Sequence, residues 1–194
     1  ATTRASNMTQ ISDKVIALSG TQSAVDAAGR ADEMAYQIAK KSKELKKDME
    51  FALIEGQVAA VGSATAARAL GSLPSWIATN GSVGATGSMS TGGGADLPNG
   101  GDDRDLTETI LKAAIEDVYV SGGDLDLLVV PPSVKQVISG FNANTTRFGP
   151  AESRTEYAAI DVYSSDFGDI QVVPNRVMAT TAEKHVFLLQ SDMA

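Results

Sequence analysis

Residues 21–55 place Ala28, Ala31, Ala35, Ile38, Ser42, Leu45, Met49 and Ala52 at steps of three and four. That period puts them on one face of a helix. The pattern predicts a single helix over 21–55, capped by Ser19 or Thr21 and stopped by Gly56. At 1.5 Å per residue its length is ~50 Å, more than a small core needs. The stripe is made mostly of small residues, so a sheet or a pair of strands must lie close against it. Lys40, Lys43 and Lys47 point the other way, as do Tyr36, Phe51 and Ile54. Glu44, Asp48 and Glu50 lie among the lysines, which suits a salt-bridged helix surface. The large apolar groups are costly on an outer face without a cover. Either another subunit or a second layer of the same chain supplies it.

The rest of the pattern is more broken. Residues 1–18 read as an extended arm with one strand, carrying Ile11, Val15, Ile16 and Leu18. Residues 57–79 suggest a loop and a short helix around Trp76. Residues 80–103 hold eight glycines without a regular period, and read as a long flexible surface loop. A second helix is expected over 105–121, with Asp105 and Glu108 at capping-box spacing. Ile110, Leu111, Ala114, Ile115 and Val118 form its buried face, and Gly122-Gly123 stop it. "DLLVV" (126–130) reads as a strand ended by Pro131-Pro132, and "SVKQVISGF" as a short helix. After a polar loop at 141–154 come paired strands over 157–164 and 169–175, then a last strand in "EKHVFLLQ". This mixture points to an α+β or α/β arrangement.

Composition narrows the classes. Hydrophobic residues make up 43% of 194, which is not the balance of a disordered chain. No run of 18 apolar residues is present, so no membrane-spanning helix is expected. Cysteine is absent, which removes disulfides, thiol nucleophiles and cysteine-based zinc sites. It fits a reducing compartment. Residues 1–55 carry eight basic and eight acidic side chains, whereas 56–194 carry eight basic and sixteen acidic. An excess of acid over most of the chain argues against a broad nucleic-acid grip.

Several triplets and clusters invite chemistry and then fail its requirements. Asp166-Phe167-Gly168 matches the magnesium loop of protein kinases, but no glycine-rich phosphate loop, strand lysine or His-Arg-Asp segment accompanies it. The triplet reads instead as a hairpin turn, with Asp bonding its own backbone and Gly free to take a positive φ. Pro174, unable to donate to a ladder, marks a strand end or an edge. A serine triad needs a histidine base, and the single histidine, His185, lies within a strand pattern. Asp102, Asp103 and Asp105 cluster, as do Asp124 and Asp126, but neither group has the calcium-loop spacing. No catalytic, cofactor-binding or metal residue is therefore assigned.

Five blocks carry a resemblance: residues 19–53, "LPSWIATN", "DLTETILKAAIEDVYVSGG", "VKQVISGF" and "IDVYSSDFGDIQVVPNR". In this order they resemble a major head (major capsid) protein family of tailed bacteriophages. The resemblance implies an α+β chain with the Hong Kong 97-type capsid fold. It places residues 1–18 in an extended arm, the returning strand of a long hairpin called the E-loop. Residues 19–59 would hold the spine helix of the peripheral (P) domain, and 60–155 the axial (A) domain. Residues 156–194 would return to the A-domain and to the P-domain sheet, packing under the spine. Family members carry more chain before the spine, so the resemblance implies an incomplete or trimmed subunit.

The function so implied is that of a shell subunit, self-assembling into hexamers and pentamers that enclose double-stranded DNA without sequence-specific binding. Decoration, scaffold or portal proteins are further partners, no membrane is involved, and the place is the virion capsid, assembled in the host cytoplasm. Tyr36, Phe51, Ile54, Arg68, Trp76, Arg147 and Arg154 are the expected subunit-interface residues. Two other readings stand beside it: an encapsulin-like nanocompartment shell protein, and a small soluble α/β ligand-binding or enzyme domain.

Overall fold

A computed structural model describes residues 6–25, 29, 32–141, 161–179 and 185–192. The chain is mixed α and β, and forms two compact units. The first takes residues up to Trp76 with Gly92–Leu97, and the second takes Ile77–Thr91 with Pro98 onward.

The first unit departs from the single helix expected over 21–55. A five-residue helix, α1 (Gly20–Ala24), is capped by Ser19, whose hydroxyl accepts from Gln22 N at 3.2 Å. Val25 is then extended, and Gly29 takes a φ of 84°. The long helix α2 (Glu33–Ile54) starts only at Asp32, whose carboxylate accepts from Met34 N at 2.8 Å and Ala35 N at 3.2 Å. An aspartate in this role satisfies amides that an unbroken helix would have bonded internally. With 22 residues, α2 is ~33 Å long rather than ~50 Å. Its end is the expected one, since Gly56 follows with a φ of 90°.

Small and polar groups, not a large apolar core, hold this unit together. Among the described residues of α2 only Ala52 is buried. The helix packs on a 3-10 turn at Leu73–Ser75, which replaces the short helix expected near Trp76. Ser72 and Ser75 are fully buried. The Ser72 hydroxyl accepts from Gln57 N at 2.7 Å and donates to Gln57 O at 3.0 Å, and the Ser75 hydroxyl donates to Ser72 O at 2.6 Å. Residues 92–97 are laced in by the backbone: Ala59 N donates to Gly94 O at 2.7 Å, and Gly94 N to Ser75 O at 3.1 Å.

The arm carries no strand over residues 6–18. Side-chain amides dock it instead. Asn7 Nδ2 donates to Gly71 O at 2.9 Å while Gly71 N donates to Asn7 Oδ1 at 2.8 Å. One amide thus engages both backbone groups of one residue, as a ladder partner would. Gln10 Oε1 accepts from Gln57 Nε2 at 2.7 Å and from Leu70 N at 3.2 Å, and Lys14 forms an ion pair with Asp48.

The second unit has a conventional core. Helix α3 (Glu108–Val120) is capped by Thr107, whose hydroxyl accepts from Ile110 N at 3.3 Å. The cap is therefore not Asp105, because the chain turns into the helix two residues later. Gly122 ends it with a φ of 88°. Strand β1 (Leu127–Val130) leads through Pro131 into α4 (Pro132–Phe141), with proline at the first helical position, where its missing N–H is not needed. Strands β2 (Val162–Ser165), β3 (Gly168–Pro174) and β4 (Phe187–Leu189) follow. The sheet order is β2-β3-β1-β4, with β1 parallel to β3 and the other pairs antiparallel. Strands β2 to β4 thus join β1 in one sheet. Leu128, Val130, Tyr163, Ile170 and Val172 pack with Leu111 and Ile115 of α3 and Ile138 of α4. Fully burying such side chains contributes roughly 1.5–3 kcal/mol each. Lys135 Nζ reaches from α4 to Val172 O at 2.9 Å.

Two turn expectations are corrected. The hairpin loop is Asp166-Phe167, with Gly168 already paired to Ser165 and holding a φ of 139°. The Ser165 hydroxyl, not Asp166, closes it, donating to Gly168 O at 2.8 Å and accepting from Phe167 N at 3.3 Å. Pro174 does end its strand, but β3 is an interior strand: Pro174 lies beyond the reach of β2, which pairs only as far as Gln171.

The glycine-rich stretch 80–103 is also more ordered than expected. Ser88 and Asn99 exchange backbone hydrogen bonds of 3.0 and 2.8 Å, and Gly84 N donates to Gly100 O at 2.8 Å. Glycine is needed here for closeness: a Cβ on Gly84 would stand 2.2 Å from Asp102 O.

Candidate functional site

Helix α2 presents side chains on two sides that its own unit leaves uncovered. On the stripe, Ile38 and Met49 are each 50% exposed, and on the back Tyr36 is 45% and Phe51 42% exposed. Ile54 is half-buried. The close-packed layer that the small-residue stripe called for is thus supplied, among the described residues, only near Ala52. The arm repeats the arrangement, with Ile11 and Val15 each 80% exposed while Met8, Ile16 and Leu18 are half-buried.

Charges are laid between these apolar groups. Lys40, Lys43 and Lys47 are exposed. Lys41 Nζ pairs with Glu44 Oε2 at 2.7 Å. That hydrogen bond holds the Glu44 carboxyl below its usual range. The hydrogen bond from Lys14 to Asp48, with their charge attraction, raises the Lys14 ammonium above its usual range.

The other interface candidates are dispersed. Arg68 is exposed on a loop closed by the Ala60–Ala69 bridge. Trp76 is half-buried, its indole over Gly94 and Gly71, where added Cβ atoms would stand 3.0 Å from the ring. Its Nε1 is buried without a hydrogen-bond partner among the described residues. Arg147 and Arg154 lie outside the described residues.

The chemical candidates resolve into structure. Asp166-Phe167 is a turn, and Phe167 stacks on Tyr119 with ring centroids 4.6 Å apart. Among the described residues no group of three or more His, Asp or Glu is placed to hold a metal ion. Asp126 accepts from Ser191 N at 2.8 Å and from the Ser191 hydroxyl, fastening the end of β4 to the start of β1. Those two bonds hold its carboxyl below the usual range. His185 stands just before β4 with its ring 6.2 Å from that of Phe187. No helix among the described residues is long and apolar enough to cross a membrane. The sequence reading missed Asn7 and Gln10, because nothing in an arm's sequence says which distant backbone its amides will meet. It also missed the Tyr119–Phe167 pair, which joins residues 48 apart in sequence.

Comparison with known proteins decides the family. The family model described as SU10 major capsid protein matches residues 1–194. The chain belongs to the SU10 major capsid protein family. It is a family of structural shell proteins, not of enzymes. Among curated proteins, the chain is similar to the major capsid protein of Escherichia phage Phieco32, with 26% identity over 72% of this chain and 49% of the relative. The capsid chain therefore spans about half the length of the curated relative that it matches. The five sequence blocks that suggested a phage head protein thus pointed to the right family.

Proposed function

We infer that the chain contributes to the wall of a phage head, by association with copies of itself and not by catalysis. The observation that carries this is α2: within 22 residues only Ala52 is buried, while Tyr36, Ile38, Met49, Phe51 and Leu53 are 42–50% exposed. Apolar surface of this extent on a helix calls for a cover, and a repeated subunit supplies one at every position of a closed shell. In this reading the fold is of the Hong Kong 97 type and α2 is the spine helix of its P-domain. Loops of the 60–155 segment meet around the axes of hexamers and pentamers. Double-stranded DNA fills the interior, faced by a surface whose acidic excess limits adhesion. Assembly takes place in the host cytoplasm.

The test is assembly of the full-length subunit, followed by sedimentation and negative-stain microscopy. Closed particles are expected. Phe51→Lys together with Ile38→Lys should abolish them while leaving the circular dichroism of the subunit unchanged. A subunit that stays monomeric over all concentrations, with α2 exposed and stable, would sink the reading.

A further inference from the structure

Asn80-Gly81 and Asn99-Gly100 stand near the two ends of the glycine-rich stretch. The Asn-Gly pair is intrinsically reactive: glycine has no Cβ to shield its nitrogen, which can close on the side-chain amide before it. The fold sets the two pairs differently.

Asn99 is exposed, and its Oδ1 accepts from Gly101 N at 3.1 Å. The ring closed by that bond contains both Asn99 Cγ and Gly100 N, so the side-chain amide is folded over the nitrogen that would attack it. The same bond draws electrons from Cγ, and its donor already faces the oxygen that gains charge during attack. Gly100 N donates no hydrogen bond among the described residues, so closure breaks none at the nucleophile. The Asn99 backbone is paired with Ser88 at 2.8 and 3.0 Å, which makes closure slower than in an unfolded chain without blocking it. Asn80 has the opposite setting. Its φ is 56°, and in the left-handed region, where ψ is about +47°, the following nitrogen lies trans to Cβ. Its Oδ1 accepts from Ser121 Oγ at 3.1 Å, which draws the side chain toward the end of α3.

We propose that Asn99 is a site of spontaneous modification in the folded chain, closing to a succinimide and opening to aspartate and isoaspartate, while Asn80 is spared. Gly100 N loses its proton and bonds to Asn99 Cγ, and the side-chain nitrogen takes up a proton and leaves as ammonia. Water then adds to one of the two ring carbonyls. Opening at Cγ gives aspartate. Opening at the Asn99 backbone carbonyl gives isoaspartate, in which the main chain runs through Cβ. Water is the one co-reactant.

The loop has no room for a longer backbone. A Cβ on Gly87 would stand 2.6 Å from Asn99 O, and one on Gly101 would stand 2.3 Å from Gly87 N. Isoaspartate adds a main-chain methylene where these limbs meet, and either product puts a further carboxylate near the exposed Asp102 and Asp103. The pairing of 84–88 with 99–101 is thereby loosened irreversibly as the subunit ages.

The full-length subunit is held in warm, mildly alkaline buffer and digested at intervals. Peptide mass spectrometry follows the gain of about 1 Da at each asparagine, and an isoaspartyl methyltransferase counts the isomer. A sample unfolded in urea is the reference, in which both pairs should convert alike. In the folded chain Asn99 should convert at least about tenfold faster than Asn80, the factor for one unfavourable backbone rotation. Asn80 converting as fast as Asn99, or Asn99 wholly intact once the unfolded reference has converted, overturns the proposal. Aspartate without isoaspartate would mean direct hydrolysis of the side chain and overturns the ring closure. As a second measurement, hydrogen exchange is followed at the Ser88 amide, which donates to Asn99 O at 3.0 Å, in the aged subunit and in Asn99→Asp. The isoaspartyl fraction should lose protection there, whereas Asn99→Asp, with the charge but not the added methylene, should keep it. Equal protection in the two overturns the loosening.

Discussion

Gly84→Ala adds one methyl group where the backbone leaves no room. The new Cβ would stand 2.2 Å from Asp102 O, 2.7 Å from Asp102 N and 2.9 Å from Gly100 O. A relaxed carbon–oxygen contact needs about 3.3 Å, so about 1 Å must be relieved at the closest atom. All three neighbours are backbone atoms, which no rotamer change can move aside. Relief means shifting the segment, and Gly84 N is held to Gly100 O at 2.8 Å while Gly87 N is held to Gly84 O at 2.9 Å. Overpacking of this kind costs about 1–3 kcal/mol, and losing one of the bonds adds about 1 kcal/mol. At about 2–4 °C per kcal/mol for a chain of this size, the melting transition should fall by about 5–15 °C. Differential scanning calorimetry measures the shift, and hydrogen exchange at the Gly87 and Ser88 amides locates it. Gly93→Ala, with nothing within 4 Å of its Cβ, is the matched control. Equal melting of the two variants, with unchanged protection at Gly87, would refute the claim that glycines pack this loop.

Three further outcomes follow from the same geometry. Ile138→Ala empties a fully buried position of the α3–α4–sheet core and should cost about 2–5 kcal/mol in denaturant unfolding; its neighbour Val137→Ala, 44% exposed, should stay within about 0.5 kcal/mol. Asp126 has its folded pKa depressed below the usual 3.8, first by the Ser191 hydroxyl and then by the Ser191 amide. Its contribution is therefore present above the unfolded pKa and is lost as pH falls through the folded one. The Ser191 amide should thus exchange faster, relative to β1, under strong acid, and Asp126→Asn should erase that dependence; an identical profile in the variant contradicts the clasp. Asn7→Ala removes both bonds to Gly71, so limited proteolysis should cut within residues 6–18 sooner while α2 stays intact. Equal cleavage rates would mean that the amide does not hold the arm.

Much of the second unit was legible in the sequence because its signals are local. Leu111, Ile115 and Val118 recur at helical spacing, Gly122-Gly123 stop the helix, and the proline pair marks the passage from β1 to α4. The first unit was less legible. An uninterrupted alanine-rich period over 21–55 cannot show where the helix begins, since Asp32 competes for the first amides only once the chain has turned there. Glycines at 84, 87 and 101 signal turn and flexibility in a sequence, yet here they permit backbone-to-backbone contact. Of the interface candidates, Tyr36, Phe51 and Arg68 are exposed, which a helical wheel and a loop assignment anticipate, whereas Trp76 rests on Gly94, a partner that no periodicity reveals.

The sequence by itself determined that this is an acidic, cysteine-free α+β chain with a long amphipathic helix and no catalytic set, and its ordered blocks pointed to the phage head family. Charge, cysteine content and the helix follow from residue type and near-neighbour spacing, which left α+β and α/β both open; the fold class and the family came from the resemblance of the blocks. Only the tertiary structure decided that β2 to β4 join β1 in one sheet, that side-chain amides fasten the arm, and that α2 keeps two apolar sides open. Those outcomes depend on which distant groups meet. The free energy of a buried contact or of a paired amide is set by what closes over it, and that partner lies tens of residues away in the chain.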